Sequence, residues 1–318
     1  MIAIRKSFAL AAGLVLLGCA SPPAQPPSPV AIDLLDVERE NWSWRGTPGV
    51  FLRTSGWDIR TTVPHARLVD LLPTFYDHAL MRYATALTPL PWPRHRLQVY
   101  LMRDEKQWSA KLREMLGSDA AEWQALGRGG VTIDGTALLY DLDGRGRSRA
   151  TLRIAAHEGW HQYAEAALVD CLPTWLDEGI ATWMEGFRVS SNGVEFLPFR
   201  NWDRRAALRS AMTADVIAPL EDLLAAEPGG VLQDGRSSLL AYYAQLWALT
   251  TYITEHEVYS LQLDRVLQAA ATGRLADLVG PYPTPLDWLM FFDADPLALE
   301  AGYRTWIDEL TAPGRWSH

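Results

Sequence analysis

His157-Glu158-Gly159-Trp160-His161, followed shortly by Trp175-Leu176-Asp177-Glu178-Gly179-Ile180-Ala181, is the stretch on which the reading of the whole chain turns. On a helix of about 3.6 residues per turn, histidines four apart project from one face, so both imidazoles can hold a single metal ion. Glu158 is turned about 100° from His157, out of line with the imidazoles yet able to reach a water on that metal. A base beside an open metal position is what metal-assisted hydrolysis requires.

A catalytic zinc usually takes three protein ligands and keeps a further position for water or substrate, and Glu178 is the candidate for the third. The apolar, alanine-rich stretch from Thr151 to Val169 reads as one helix, Asp170-Cys171-Leu172-Pro173 as its stop and turn, and Thr174 as the start of a second helix. Such a helix–turn–helix brings its returning first turn, with Glu178, back towards the histidine face. Thr174 and Asp177 have capping-box spacing, so Asp177 reads first as a cap, with a partner to a histidine as the alternative.

With both halves in place, the chain resembles the gluzincin zinc metallopeptidases, whose pattern is H-E-x-x-H with a downstream glutamate, often inside W-L-x-E-G-x-A. The resemblance implies that His157, His161 and Glu178 bind Zn²⁺, that Glu158 is the general base, and that the substrate is a peptide or protein. A looser likeness to small bacterial gluzincin domains of unknown function runs through Phe51 to Thr54, the zinc block, Asn201 to Leu208 and Tyr243 to Trp247. Some gluzincins carry an aspartate four residues after the glutamate ligand, where this chain has Thr182. Gluzincins also supply a Tyr or His from a later helix to the oxyanion. Tyr243 is the first candidate for that role, Tyr242 the second and His256 a weaker third, with plain packing as the alternative for the tyrosines.

The beginning of the chain sets the expected location. Arg5-Lys6 precedes an apolar run, Phe8 to Leu17, too short to span a bilayer comfortably but suited to a secretory signal. Leu16-Leu17-Gly18-Cys19 resembles a bacterial lipoprotein signal, which implies a lipid on Cys19 and a membrane anchor; ordinary cleavage near Cys19 is the alternative. Residues 1–18 are thus expected to be the signal and 19–40 the lipidated cysteine and a Pro-rich tether, with Ser21 to Pro29 unable to bury a core. Residues 41–318 are expected to form the metallopeptidase domain. Ala20 and Ser21 carry no aspartate retention signal, so by resemblance to Gram-negative lipoproteins the periplasmic face of the outer membrane is the expected destination.

Composition narrows the partners. Without the signal, lysine plus arginine falls from 29 to 27 against 38 acidic residues, a formal charge of −11, which argues against nucleic acid as a partner. Cys171 would be the only cysteine left beside Cys19, so no internal disulfide is expected, and Cys171 reads as a small buried residue in the inter-helix turn. Arg204-Arg205 reads as a solvated helix face, with a fork for a substrate carboxylate as the alternative. Trp160, Trp175 and Trp183 read as packing residues around the ligands.

Outside the motif, Asn41 to Pro64 and Arg96 to Met102 read as strands, and Ala66 to Leu87 and Glu105 to Leu116 as helices. Val131 to Tyr140 reads as a hairpin turning at Asp134-Gly135. It is either an exposed edge that pairs with an extended substrate or an interior hairpin. Ala206 to Met212, Leu220 to Ala226, Leu239 to Thr254, Leu261 to Ala271 and Leu297 to Leu310 read as helices. The expected fold class is therefore α+β and zincin-like: an N-terminal lobe on a mixed β-sheet, a helical C-terminal lobe, and the zinc site between them. Two other functions fit the motif: a non-hydrolytic lipoprotein module stabilised by zinc, and a hydrolase of a non-peptide amide such as a cell-wall bond.

Overall fold

Two glycine-containing turns shape the sheet. Arg45-Gly46 and Asp134-Gly135 have positive φ at both residues (47° and 78°, 47° and 69°), the conformation that lets a two-residue hairpin follow the twist of its strands. In the computed structural model, which describes residues 37–121, 124, 129–144, 149–190 and 193–312, they join β1 (Glu38–Trp44) to β2 (Thr47–Arg53) and β5 (Gly130–Ile133) to β6 (Thr136–Tyr140). The expected signal, Cys19 and the tether up to residue 36 lie outside the described residues.

With β3 (Trp57–Thr61) and β4 (Leu97–Met102), these strands form a six-stranded sheet in the order β1-β2-β3-β4-β6-β5. The pairings β3–β4 and β4–β6 are parallel and the rest antiparallel, so the sheet is mixed, and β5 is an edge. β1 starts at Glu38, earlier than the expected tether boundary at residue 40. Its first residues are charged and exposed, and they pair by backbone register with β2, which hydropathy does not register.

Alternation along the strands divides the core in two. Val99, Leu101, Ala137 and Leu139 face α1 (Ala66–Thr85) and α3 (Arg149–Ala167), while Met102, Leu138 and Tyr140 face Trp108 and Leu112 of α2 (Glu105–Leu116). α1 crosses α3 at Gly159. A Cβ there would lie 2.6 Å from the Tyr83 hydroxyl, which itself donates to the Ala156 carbonyl, so the motif carries glycine where the two helices meet.

The second lobe is helical: α4 (Thr174–Met184), α5 (Trp202–Thr213), α6 (Leu220–Ala225), α7 (Pro228–Gln233), α8 (Arg236–Glu255), α9 (Glu257–Ala271), α10 (Leu275–Val279), α11 (Pro285–Phe292) and α12 (Pro296–Thr311). α8 is its axis, with Ala244, Leu246, Trp247 and Ala248 fully buried. α4 lies so close to α8 that a Cβ on Gly179 would meet the Thr250 hydroxyl at 2.4 Å. Among the described residues, no helix is long and apolar enough to cross a membrane.

The mixed-sheet lobe followed by a helical lobe agrees with the expected class, and the five expected C-terminal helices are present. The hairpin of β7 (Phe187–Ser190) and β8 (Gly193–Phe196) and the short helices α7, α10 and α11 were not anticipated. β7 is exposed after its first residue and α7 buries nothing, so neither carries a hydrophobic period.

Candidate metal centre

α3 is buried on several sides, packing against α1, β5, β6 and α4. His157 and Glu158 are therefore each only 8% exposed despite being polar. Burial of that kind needs partners.

The partners converge on one point. His157 Nε2 and His161 Nε2 are 3.3 Å apart, and Glu178 Oε2 lies 3.2 Å from the first and 3.6 Å from the second. These spacings match the edges of a tetrahedron with metal–ligand bonds of about 2.0–2.1 Å, which are about 3.3–3.4 Å. Glu178 Oε2 is buried and has no partner beyond the two imidazoles. The three residues can hold a metal ion.

Each imidazole is oriented from behind. His161 Nδ1 donates to Asp177 Oδ2 at 2.8 Å, and Asp177 Oδ1 accepts the Trp160 indole N–H at 2.7 Å. His157 Nδ1 donates to Glu185 Oε1 at 3.1 Å. With both Nδ1 atoms used as donors, the two Nε2 atoms are the ones turned to each other and to Glu178, free to bind a cation once their protons are displaced.

Asp177 is thus a histidine partner rather than a helix cap. The cap position of α4 is Pro173, without a side-chain bond, and Thr174 Oγ1 donates instead to Glu227 Oε1 at 3.0 Å. At the position where some gluzincins have aspartate, Thr182 turns its hydroxyl to the Gly179 carbonyl. Glu185, further along the chain just past α4, supplies the carboxylate for His157. Its side chain is fully buried and also accepts from Arg204 Nε at 2.9 Å, Arg153 Nη2 at 3.0 Å and Asn201 Nδ2 at 3.1 Å. Arg153 in turn pairs with Asp203.

Arg204 and Arg205 do not form the expected solvated face. Arg204 is spent on Glu185, while Arg205 is 3% exposed and donates to the Phe199 carbonyl. Cys171, expected to be buried, is exposed, because the α3–α4 turn leaves it at the wall of the cleft.

Glu158 stays outside the ligand triangle. Thr132 Oγ1, on β5, donates to Glu158 Oε2 at 2.8 Å and also lies 3.1 Å from its main-chain carbonyl. Gly130 gives the carboxylate stem room, since a Cβ there would be 3.0 Å from Glu158 Cγ and closer still to Leu139 and Ile154. The Tyr243 ring stands 6.1 Å from the His157 ring, with the Arg204 guanidinium 5.1 Å above it. Tyr242 sends its hydroxyl to the Ala226 carbonyl, and His256 caps α9 and stacks on Tyr259. Of the three oxyanion candidates, only Tyr243 lines the cleft of about 1030 Å³ that opens over the ligands.

The charges in the site are strongly coupled. Burial pulls the His157 imidazole down, but the hydrogen bonds and charges of Glu178 and Glu185 prevail and raise it from 6.5 to about 9. His161 is raised well above its ordinary value, burial being outweighed by Asp177 and Glu178. Burial opposes ionisation of Glu185, yet Arg204, His157 and Arg153 hold it well below the carboxylate range. Burial and then Glu178 keep the Tyr243 phenol protonated well above its usual range.

A raised histidine stabilises the metal-free fold below about 6.5, and that contribution is lost as pH climbs through about 9. Metal must displace those protons, so its affinity rises with pH across the same window. Calorimetric titration with zinc at pH 7 in buffers of different ionisation enthalpy should show release of about one to two protons per ion. Binding without proton release would contradict this account of the site.

No family model, no curated protein and no solved structure matches this chain.

Proposed function

We propose that the protein is a zinc-dependent hydrolase of peptide bonds with a gluzincin-type site, in which His157, His161 and Glu178 hold Zn²⁺ and Glu158 is the general base. The observation that carries this reading is the triangle of Nε2, Nε2 and Oε2 atoms at tetrahedral spacing, with one oxygen lacking any other partner and a carboxylate beside it. Bound zinc supplies Lewis acidity, activating water and polarising the scissile carbonyl. Glu158, steadied by Thr132, takes the proton from the attacking water and returns it to the leaving amine. Tyr243, protonated at neutral pH, donates to the developing oxyanion. β5 is an unpaired edge whose residues Gly130 to Thr132 line the cleft, so an extended peptide can add to the sheet there.

A closed structural zinc site would use a full protein shell, commonly rich in cysteine. Here the nearby cysteine is Cys171, which is not among the three grouped ligands, and this favours hydrolysis over a purely structural module. By the same reading, Cys19 carries the lipid that tethers the domain to the periplasmic face of the outer membrane.

Chelation tests the proposal. Cleavage of a mixed peptide pool, followed by mass spectrometry, should stop when the protein is stripped with a chelator and return when zinc is added back in slight excess over protein. Unchanged cleavage by the stripped protein would defeat it.

A further inference from the structure

The cleft is chemically uneven along its length. α3 and the residue after it line it from Arg153 to Leu168, about 22 Å at about 1.5 Å per residue, with the ligand histidines between. At the Arg153 end the charges are matched, Arg153 to Asp203 and Glu185 and Arg204 to Glu185. Past His161 the character changes. Leu168 and Leu172 belong to the end of α3 and its turn, Leu232 to α7, and Leu239 and Leu240 to the start of α8, and all five line the cleft.

Three contacts put these leucines together. The Thr174–Glu227 hydrogen bond ties the start of α4, directly after the turn, to the residue preceding α7, α7 packs on α8, and α4 packs along α8. Leu240 is 44% exposed and the other four are half-buried, so each leaves apolar surface facing water. The carboxylates that share this wall are already engaged: Glu165 accepts from Gly135 N, Asp170 from Leu275 N, and Glu227 from Thr174. What remains, beside the exposed Arg236, is a concave apolar surface continuous with the metal ligands, the usual make-up of a pocket for an apolar group.

The spacing from the reacting centre follows from α8. Arg236, Leu239, Leu240 and Tyr243 recur at helical spacing along its cleft side, and the Tyr243 ring is 6.1 Å from that of His157. Leu239 and Leu240 precede Tyr243 by about 4.5–6 Å of helix axis, whereas an extended peptide advances about 3.3 Å per residue. Leu239 and Leu240 therefore lie within one or two residues of the bond presented to the metal ligands.

We infer that this end of the cleft is a specificity subsite for a bulky apolar side chain, aliphatic or aromatic, adjacent or next-but-one to the scissile bond. The inference deepens the peptidase reading and rests on it. Arg236 also stands on this wall, as do Glu165, Asp170 and Glu227, so an acidic side chain would meet charges of both signs there while losing water among the leucines.

Binding, separated from turnover, tests it. The zinc-loaded Glu158→Gln protein is titrated by calorimetry with two blocked pentapeptides, Gly-Gly-Phe-Gly-Gly and Gly-Gly-Ser-Gly-Gly. The phenylalanine peptide should bind at least about ten-fold tighter, a modest value for one buried aromatic side chain. Leu232→Glu in the same background should abolish the difference with zinc content unchanged; α7 buries no residue, so the change is tolerated by the fold. Leu240→Glu, at an exposed position, should act in the same direction. Equal binding of the two peptides, binding of neither, or a preference that survives both substitutions would overturn the subsite. If the phenylalanine peptide binds with the expected preference but the wild-type protein does not cleave it, the subsite stands and the peptidase reading falls.

Discussion

Glu158→Gln should lower the hydrolytic rate by about 10²–10⁴-fold while the protein keeps its metal. The separation of the two effects follows from the geometry. The ligand triangle closes through His157, His161 and Glu178 without Glu158, whose Oε2 is turned to Thr132. Glutamine retains an oxygen for that hydroxyl and nearly the same volume, so the α3–β5 packing survives. Its amide cannot take a proton from water, so the base function is lost. Steady-state kinetics together with elemental analysis of the same preparation check both halves. Equal rates in variant and wild type would exclude Glu158 as the base, and loss of metal would make it a ligand.

Glu185→Ala should cost about 3–5 kcal/mol of folding stability and weaken zinc binding about 10–100-fold. Glu185 is the anionic centre of a buried cluster, facing Arg204 at 11% side-chain exposure and Arg153 at 15%. Removing it strands Arg204 and deprives His157 Nδ1 of its acceptor, leaving Arg153 only Asp203. Asp177 does comparable work for His161, but its side chain is 29% exposed, so water can replace part of what Asp177→Ala removes and the stability loss should be smaller. Glu185→Gln, which keeps an acceptor but not the charge, should fall between. Urea denaturation of the metal-free proteins ranks the three. A loss below about 1 kcal/mol for Glu185→Ala would mean that the cluster is not held together by this carboxylate.

The centre of the site was legible because local rules dictate it. Two histidines four apart on a helix share a face wherever the helix is placed, and a short turn after α3 returns Glu178 to that face. The turn at Asp134-Gly135 and the alternation of β4 were equally local. The residues that escaped notice depend on tertiary packing. Glu185 stands in Trp183-Met184-Glu185-Gly186-Phe187, and a charge in so apolar a run is the signal that could have marked it as buried and paired. Arg204 and Arg205 looked solvated because adjacent arginines usually are. Only the folding of α5 across α8 brings them into the interior. Asp177 was ambiguous for a sharper reason: a cap and a histidine partner use the same residue at the same spacing, and the indole of Trp160 and the imidazole of His161 win its carboxylate. β7, β8 and α7, which bury little, carry no pattern to read.

The central claim is that His157, His161 and Glu178 form one metal site, and the most direct measurement is the metal content of the purified protein and its His161→Ala variant, both dialysed against micromolar zinc. The geometry predicts about one equivalent in the wild type and loss of nearly all of it when His161 is removed, since two ligands hold zinc poorly. A wild-type protein without metal, or a variant that retains it, would contradict the assignment.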